Sequence, residues 1–137
     1  MQIDWYDRKN DPLIIIKRIQ KERGITKKEA EKIVRKMVPD EGEFQSRVKK
    51  AVIEAYPEGY TVKIQQAQYS TGGIPDLMTV IKGHYLRFEV KRPYFHKKSK
   101  LQKKTIEQIR AAGGTADFIS YADEALEMIE EYFKNGR

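Results

Sequence analysis

The sequence predicts an α/β fold: a mixed β-sheet flanked by helices, in the order αβββαβα from residue 41 onward, behind a helical extension over residues 1–40. Three observations carry this. Short apolar, alternating runs over residues 60–66, 76–81 and 84–91 have strand character, and Lys82-Gly83 separates the last two as a tight hairpin turn. A helix-like stretch over residues 99–112, stopped by Gly113-Gly114, leads into a short apolar strand at 116–120. An amphipathic, acidic helix over 123–133 closes the chain.

The earlier elements have their own signals. Asn10-Asp11-Pro12 is a cap followed by proline in the first helical turn, and Gly24 is a stop, so residues 12–23 form a short helix. Thr26 and Glu29 fit a capping box, and the helix they open ends before Pro39. These two helices could form a helix-turn-helix, although any helical hairpin has the same outline. Trp5 and Tyr6 are packing residues for them. Residues 41–56 form a third helix, stopped by Pro57-Glu58-Gly59, and residues 67–73 form a polar loop.

The length of 137 residues fits one domain and a real hydrophobic core. Without cysteine, disulfide frameworks, zinc-thiolate sites and thiol nucleophiles are excluded. The aliphatic run from Leu13 to Ile16 is too short for a bilayer span or a secretory signal, so the expectation is a cytoplasmic protein without a membrane partner. The net charge is +7. The stretch from Arg87 to Arg110 holds nine Lys/Arg against Glu89 and Glu107, so it carries the whole excess and the rest sums to zero. Such a concentration suits a polyanion, most often nucleic acid. A solvated lysine-rich face would look the same.

Two carboxylates give the chemistry. Counted outward from the Lys82-Gly83 turn, Asp76 and Glu89 lie at equal distance and become neighbours in an antiparallel hairpin. Paired acids repel, and a divalent cation between them turns repulsion into attraction. Mg²⁺ suits this pair, since it prefers carboxylate oxygens and keeps several waters. Lys91, two residues after Glu89, points to the same face and can orient a water or stabilise charge on a phosphate. A surface Asp and a Glu/Lys ladder pair is the plainer alternative.

The pattern Gly73-Ile74-Pro75-Asp76-Leu77, thirteen residues on to Glu89-Val90-Lys91, then Ser99-x-x-Gln102 opening a helix, resembles the PD-(D/E)XK nuclease superfamily and, within it, the VRR-NUC group. The resemblance covers residues 41–121 and leaves residues 1–40 outside. Val90-Lys91-Arg92 is the nearest echo of the valine-arginine-arginine stretch that names the group. The resemblance implies a restriction-endonuclease-like fold and a Mg²⁺-dependent DNA phosphodiesterase, with Mn²⁺ able to substitute. It implies Asp76 and Glu89 as metal ligands, the Val90 carbonyl as a further ligand, and Lys91 as the catalytic lysine. It also implies branched substrates such as four-way junctions, as cut by Holliday junction resolvases, or DNA with single-stranded parts. Small nucleases of this kind often act as homodimers.

The family carries an acid on the first core helix, and helical phase separates the two candidates. At about 100° per residue, Val48, Val52 and Ala55 fall within about 40° of Glu41, so Glu41 lies on the apolar face. Glu43 falls outward, with Arg47 and Lys50. Glu41 is therefore favoured for a catalytic and metal-binding role, with first-turn interaction with the helix dipole as its alternative. Gln45 lies beside it and can contact the same site. Gln102 either caps its own helix or reaches the scissile phosphate. For the DNA backbone the candidates are Arg92, Lys97, Lys98, Ser99, Lys100, Lys103 and Lys104, with Tyr69, Ser70 and Thr71 ahead of Gly72-Gly73. Tyr94, Phe95 and His96 either stack on bases or plug the sheet end. Glu124, Glu127, Glu130 and Glu131 form a solvated opposite pole. Two other classes stay open: a non-catalytic DNA-binding module on the same fold, and a helix-turn-helix regulator driven by residues 12–38.

Overall fold

The computed structural model describes residues 2–64 and 76–135. After a 3-10 turn at Arg8–Asn10, helix α1 spans Pro12–Arg23. The Asp11 carboxylate caps it, accepting from the Leu13 N–H at 3.2 Å, and Pro12 stands where a helix needs no donor. Helix α2 covers Lys27–Met37 behind Thr26, whose hydroxyl oxygen accepts from the Glu29 N–H at 3.1 Å. Helix α3 covers Glu41–Ala55. Strands β1 (Tyr60–Lys63), β2 (Leu77–Ile81) and β3 (His84–Val90) follow, then helix α4 (Lys100–Ala111), strand β4 (Thr115–Ile119) and helix α5 (Ala122–Lys134). From residue 41 this is the predicted αβββαβα order.

The four strands lie in the order β1-β2-β3-β4. The β1/β2 and β2/β3 pairs are antiparallel, and β3/β4 is parallel. The β2–β3 turn has φ of 49° at Lys82 and 80° at Gly83. Two successive positive φ values make a type I′ turn, whose twist matches that of the strands and whose second position favours glycine. The turn fixes the register at Ile81↔His84 and Leu77↔Phe88.

Strand β3 is covered on both faces. Leu86, Phe88 and Val90 join the main hydrophobic cluster with Phe44, Val48 and Val52 of α3 and Ala125 and Ile129 of α5. Arg87 and Glu89 point to the opposite face, in register with Ala116 and Phe118 of β4, against which α4 packs. The main cluster also takes in Trp5, Ile15, Ile16, Ile19, Ala30 and Val34, so the core runs without a break across residue 40. One polar tie reinforces it: the buried Tyr121 hydroxyl donates to Asp11 at 2.8 Å, linking the head of α5 to the cap of α1. Two of the acids expected to be merely solvated have partners. Glu124 accepts from the Ser120 and Tyr121 N–H groups, and Glu127 pairs with Arg8 at 2.8 Å. Among the described residues, no helix is long and apolar enough to cross a membrane.

Candidate active site

The hairpin register continues one step past Leu77↔Phe88 and sets Asp76 opposite Glu89, as the count from the turn predicts. Asp76 is fixed from both sides. Its carbonyl accepts from the Ile64 N–H at 2.7 Å, and its carboxylate Oδ2 accepts from the Val90 N–H at 3.2 Å. Lys91 Nζ lies 3.6 Å from Glu89 Oε2, with side-chain exposures of only 12% and 3%. The Lys91 N–H donates to the Ile119 carbonyl at 2.7 Å, so the backbone carrying the lysine is an extension of the sheet.

The other Glu89 carboxylate oxygen, Oε1, is buried with no hydrogen-bond donor among the described residues. An unsatisfied buried anion is costly, and the protein relieves it by holding the proton. Burial first, then the hydrogen-bonding and charge of Asp76, push the Glu89 carboxyl up to about 8; Lys91 pulls it down and Glu41 adds to the rise. Glu41, at the first turn of α3, belongs to the same electrostatic group. Burial is the largest influence and raises its carboxyl above the usual range. Lys91 opposes this, Asp76 adds to it, and the Arg92 backbone N–H and His96 oppose it. Glu43, by contrast, is exposed and accepts from the Tyr6 hydroxyl at 2.8 Å, away from the cluster. The structure thus sets Glu41 beside the acid pair and Glu43 away from it. Gln45 is buried one turn on from Glu41.

No three of the His, Asp and Glu residues described close into a ready-made metal cage. Mg²⁺ does not need one, since it is usually held by one or two carboxylates with water or substrate oxygens completing the shell. The donorless Oε1 of Glu89, beside a second carboxylate, is the kind of vacancy in hydrogen bonding that a cation satisfies.

The remaining predicted residues fall into three groups. Lys97, Lys98, Lys100, Lys103 and Lys104 are exposed, and Lys98 Nζ sits 4.9 Å from the Phe118 ring centroid. Lys91, His96, Lys98 and Ser120 border one small cavity of about 140 Å³, which links the acid cluster to the basic run. Ser99 and Gln102 form a full capping box: the Gln102 N–H donates to Ser99 Oγ at 3.0 Å, and Gln102 Oε1 accepts from the Ser99 N–H at 3.2 Å. Tyr69, Ser70 and Thr71 lie outside the described residues.

Arg92 departs from expectation. Its guanidinium does not join the basic face but turns inward onto the end of α2. Nε donates to the Pro39 carbonyl at 3.1 Å, and Nη2 donates to the Val38 carbonyl at 2.8 Å and to the Arg35 carbonyl. A helix C-terminus leaves carbonyls without partners, and a guanidinium supplies several donors at once. Phe95 is held between the Arg35 and Arg92 guanidinium groups at 4.6 and 5.1 Å, so this part of the loop is packed rather than splayed for bases. His96 also gains a fixed place. Its Nδ1 lies 2.9 Å from the Arg92 carbonyl, which can only accept, so Nδ1 carries the proton.

No family model matches the chain, and no curated protein matches it. Six solved chains do match. One is a "VRR_NUC domain", 27% identical, with a TM-score of 0.54 over 67% of this chain and 96% of that one. The chain has the fold of a VRR-NUC-type nuclease domain. Its mixed four-stranded sheet and flanking helices are those of that fold.

Proposed function

We propose that the protein is a Mg²⁺-dependent endodeoxyribonuclease that hydrolyses phosphodiester bonds in branched DNA, four-way junctions included, and acts as a homodimer on paired strands. The observation that supports it best is the buried Glu89 carboxylate, with one oxygen lacking a donor among the described residues, beside Asp76 and 3.6 Å from Lys91. A protein that only bound DNA would gain nothing from buried acids facing phosphate. Asp76, Glu89, the Val90 carbonyl and Glu41 are the groups that would hold the cation, with Mn²⁺ able to replace Mg²⁺. When bound, the cation supplies Lewis-acid polarisation of the scissile phosphate.

The chain's own residues do the rest. Lys91 carries a positive charge to the edge of the cluster, where its ammonium donates to a non-bridging phosphate oxygen as charge builds there, and orients the attacking water. The Val90 N–H keeps Asp76 aimed across the hairpin. The Arg92 N–H and His96 steady Glu41 against its acidic neighbours. The lysines on and before α4 attract the backbone without reading sequence.

The test is one gel. Supercoiled, linear, single-stranded and four-way-junction DNA are incubated with the protein in Mg²⁺ or EDTA, beside Asp76→Ala and Lys91→Ala. Cleavage requires Mg²⁺, falls at least a hundredfold in both variants, and is fastest on the junction. If the variants cut as fast as the parent, the site is elsewhere; if they are dead but the junction is not preferred, only the substrate class fails.

A further inference from the structure

Residues 12–38 carry nine Lys/Arg against Glu22, Glu29 and Glu31, a net +6 nearly equal to that of the run around α4. On α2 this charge is ordered. Ala30 and Val34 are fully buried, while Lys28, Lys32, Arg35 and Lys36 are exposed and fall within an arc of about 100° on the opposite side, at about 100° per residue. Among the described residues, none of the four is in an ion pair. Lys28 and Lys32, Lys32 and Lys36, and Lys32 and Arg35 are like charges at helical neighbour spacings, which weakens an isolated helix by about 0.2–0.5 kcal/mol per pair. A polyanion laid along the helix reverses that sign. From Lys28 to Lys36 the face runs about 12 Å, a length of duplex that carries about seven phosphate charges.

This face is anchored to the site. Arg92, next to Lys91, donates to the Arg35, Val38 and Pro39 carbonyls, and Phe95 packs between Arg35 and Arg92. Arg35 and Lys97 line the same cleft of about 320 Å³ together with Glu31 and His96, so α2 and the segment that leads to α4 share one surface.

We propose that the outer face of α2 is a second binding surface for the DNA backbone, which extends the substrate track from the active site across the N-terminal helices and makes them part of the nuclease. This rests on the nuclease reading for the identity of the polyanion. Arg92 and Phe95 hold the surface at a set distance from Lys91, so it engages DNA that extends past the scissile bond and leaves short substrates unaffected.

The experiment compares the parent with the triple variant Lys28→Gln/Lys32→Gln/Lys36→Gln, which leaves Arg35 and its packing intact. Binding to a 30-base-pair duplex is followed by fluorescence anisotropy in EDTA over a salt series, and cleavage of a four-way junction with arms of that length is followed in Mg²⁺. Each lost phosphate contact lowers the salt slope by about 0.9, so the slope of the triple variant becomes shallower by about two to three. Its melting temperature stays at or above that of the parent. A slope that changes by less than one half overturns the proposal, whether the surface is merely solvated or serves an acidic protein. The two readings separate cleanly. A shallower slope in a protein that cuts nothing keeps this surface and removes the nuclease. Mg²⁺-dependent cutting with an unchanged slope does the reverse.

Discussion

Glu89→Gln should stabilise the metal-free protein at alkaline pH while abolishing cleavage. The parent Glu89 carboxyl is raised from 4.5 to about 8, chiefly by burial and then by Asp76. The folded state therefore keeps a proton that the unfolded chain releases. Stability from this group is fully present below about pH 4.5 and is lost as pH rises through about 8. At about 1.4 kcal/mol per unit, the shift sets an upper bound near 5 kcal/mol. The charges around Glu89 pull its carboxyl in both directions, and Arg87 stands two residues back on the same strand face, so about 2–4 kcal/mol is the working figure. That corresponds to a fall of roughly 10 °C in melting temperature between pH 5 and pH 8.5. Glutamine keeps the shape, carries no charge and offers Asp76 an N–H. The variant should have a much flatter profile, with only the smaller slope from Glu41, and should melt above the parent at pH 8.5. Millimolar Mg²⁺ should raise the parent's melting temperature there and leave the variant unchanged. The assay is a thermal melt at five pH values, with and without Mg²⁺. Parallel profiles for parent and variant would refute the view that Glu89 is a strained, unsatisfied acid.

Three further changes test the frame around the site. Arg92→Ala removes charge-assisted hydrogen bonds to three carbonyls at the end of α2; a loss of about 1.5–3 kcal/mol is expected, and amide exchange should rise first in α1 and α2. Gly114→Ala places a Cβ 2.8 Å from Ile109 Cγ2 and 3.3 Å from Tyr85 Cδ1, so overpacking should cost about 1–3 kcal/mol in denaturant unfolding, with a smaller increment in an Ile109→Ala background. Ser99→Ala breaks the α4 capping box at a cost of about 1 kcal/mol; urea melts that do not move would show that the box contributes nothing.

What was legible in the sequence was mostly local. Asp11-Pro12, Thr26 with Glu29, and Ser99 with Gln102 begin their helices within a residue of where their side chains would cap them. The acid pair was also legible, because Lys82-Gly83 fixes the register and the count to Asp76 and Glu89 needs only strand geometry. Glu41 could be told from Glu43 because the phase of one helix is a local property too. The parallel β3/β4 pairing had no such signal. It joins residues separated by a whole helix, and only the apolar character of both strands hinted at it.

The basic residues were the hardest to place, and the reason is physical. A cation in a sequence window says that an anion or a carbonyl is wanted, not which one. Arg92 sits inside the most basic stretch and was grouped with it, yet the end of α2 needed donors and took it. Lys28, Lys32 and Lys36 were passed over for the opposite reason. The acids at 117–131 offset their charge in the whole-chain sum, although Glu124 and Glu127 have partners elsewhere, in the cap of α5 and at Arg8. Net charge is a sum over sequence, whereas attraction for a polyanion is a sum over a surface within about a Debye length of roughly 8 Å. The face opposite Ala30 and Val34 belongs to the helix that Arg92 ties to the strand carrying Glu89.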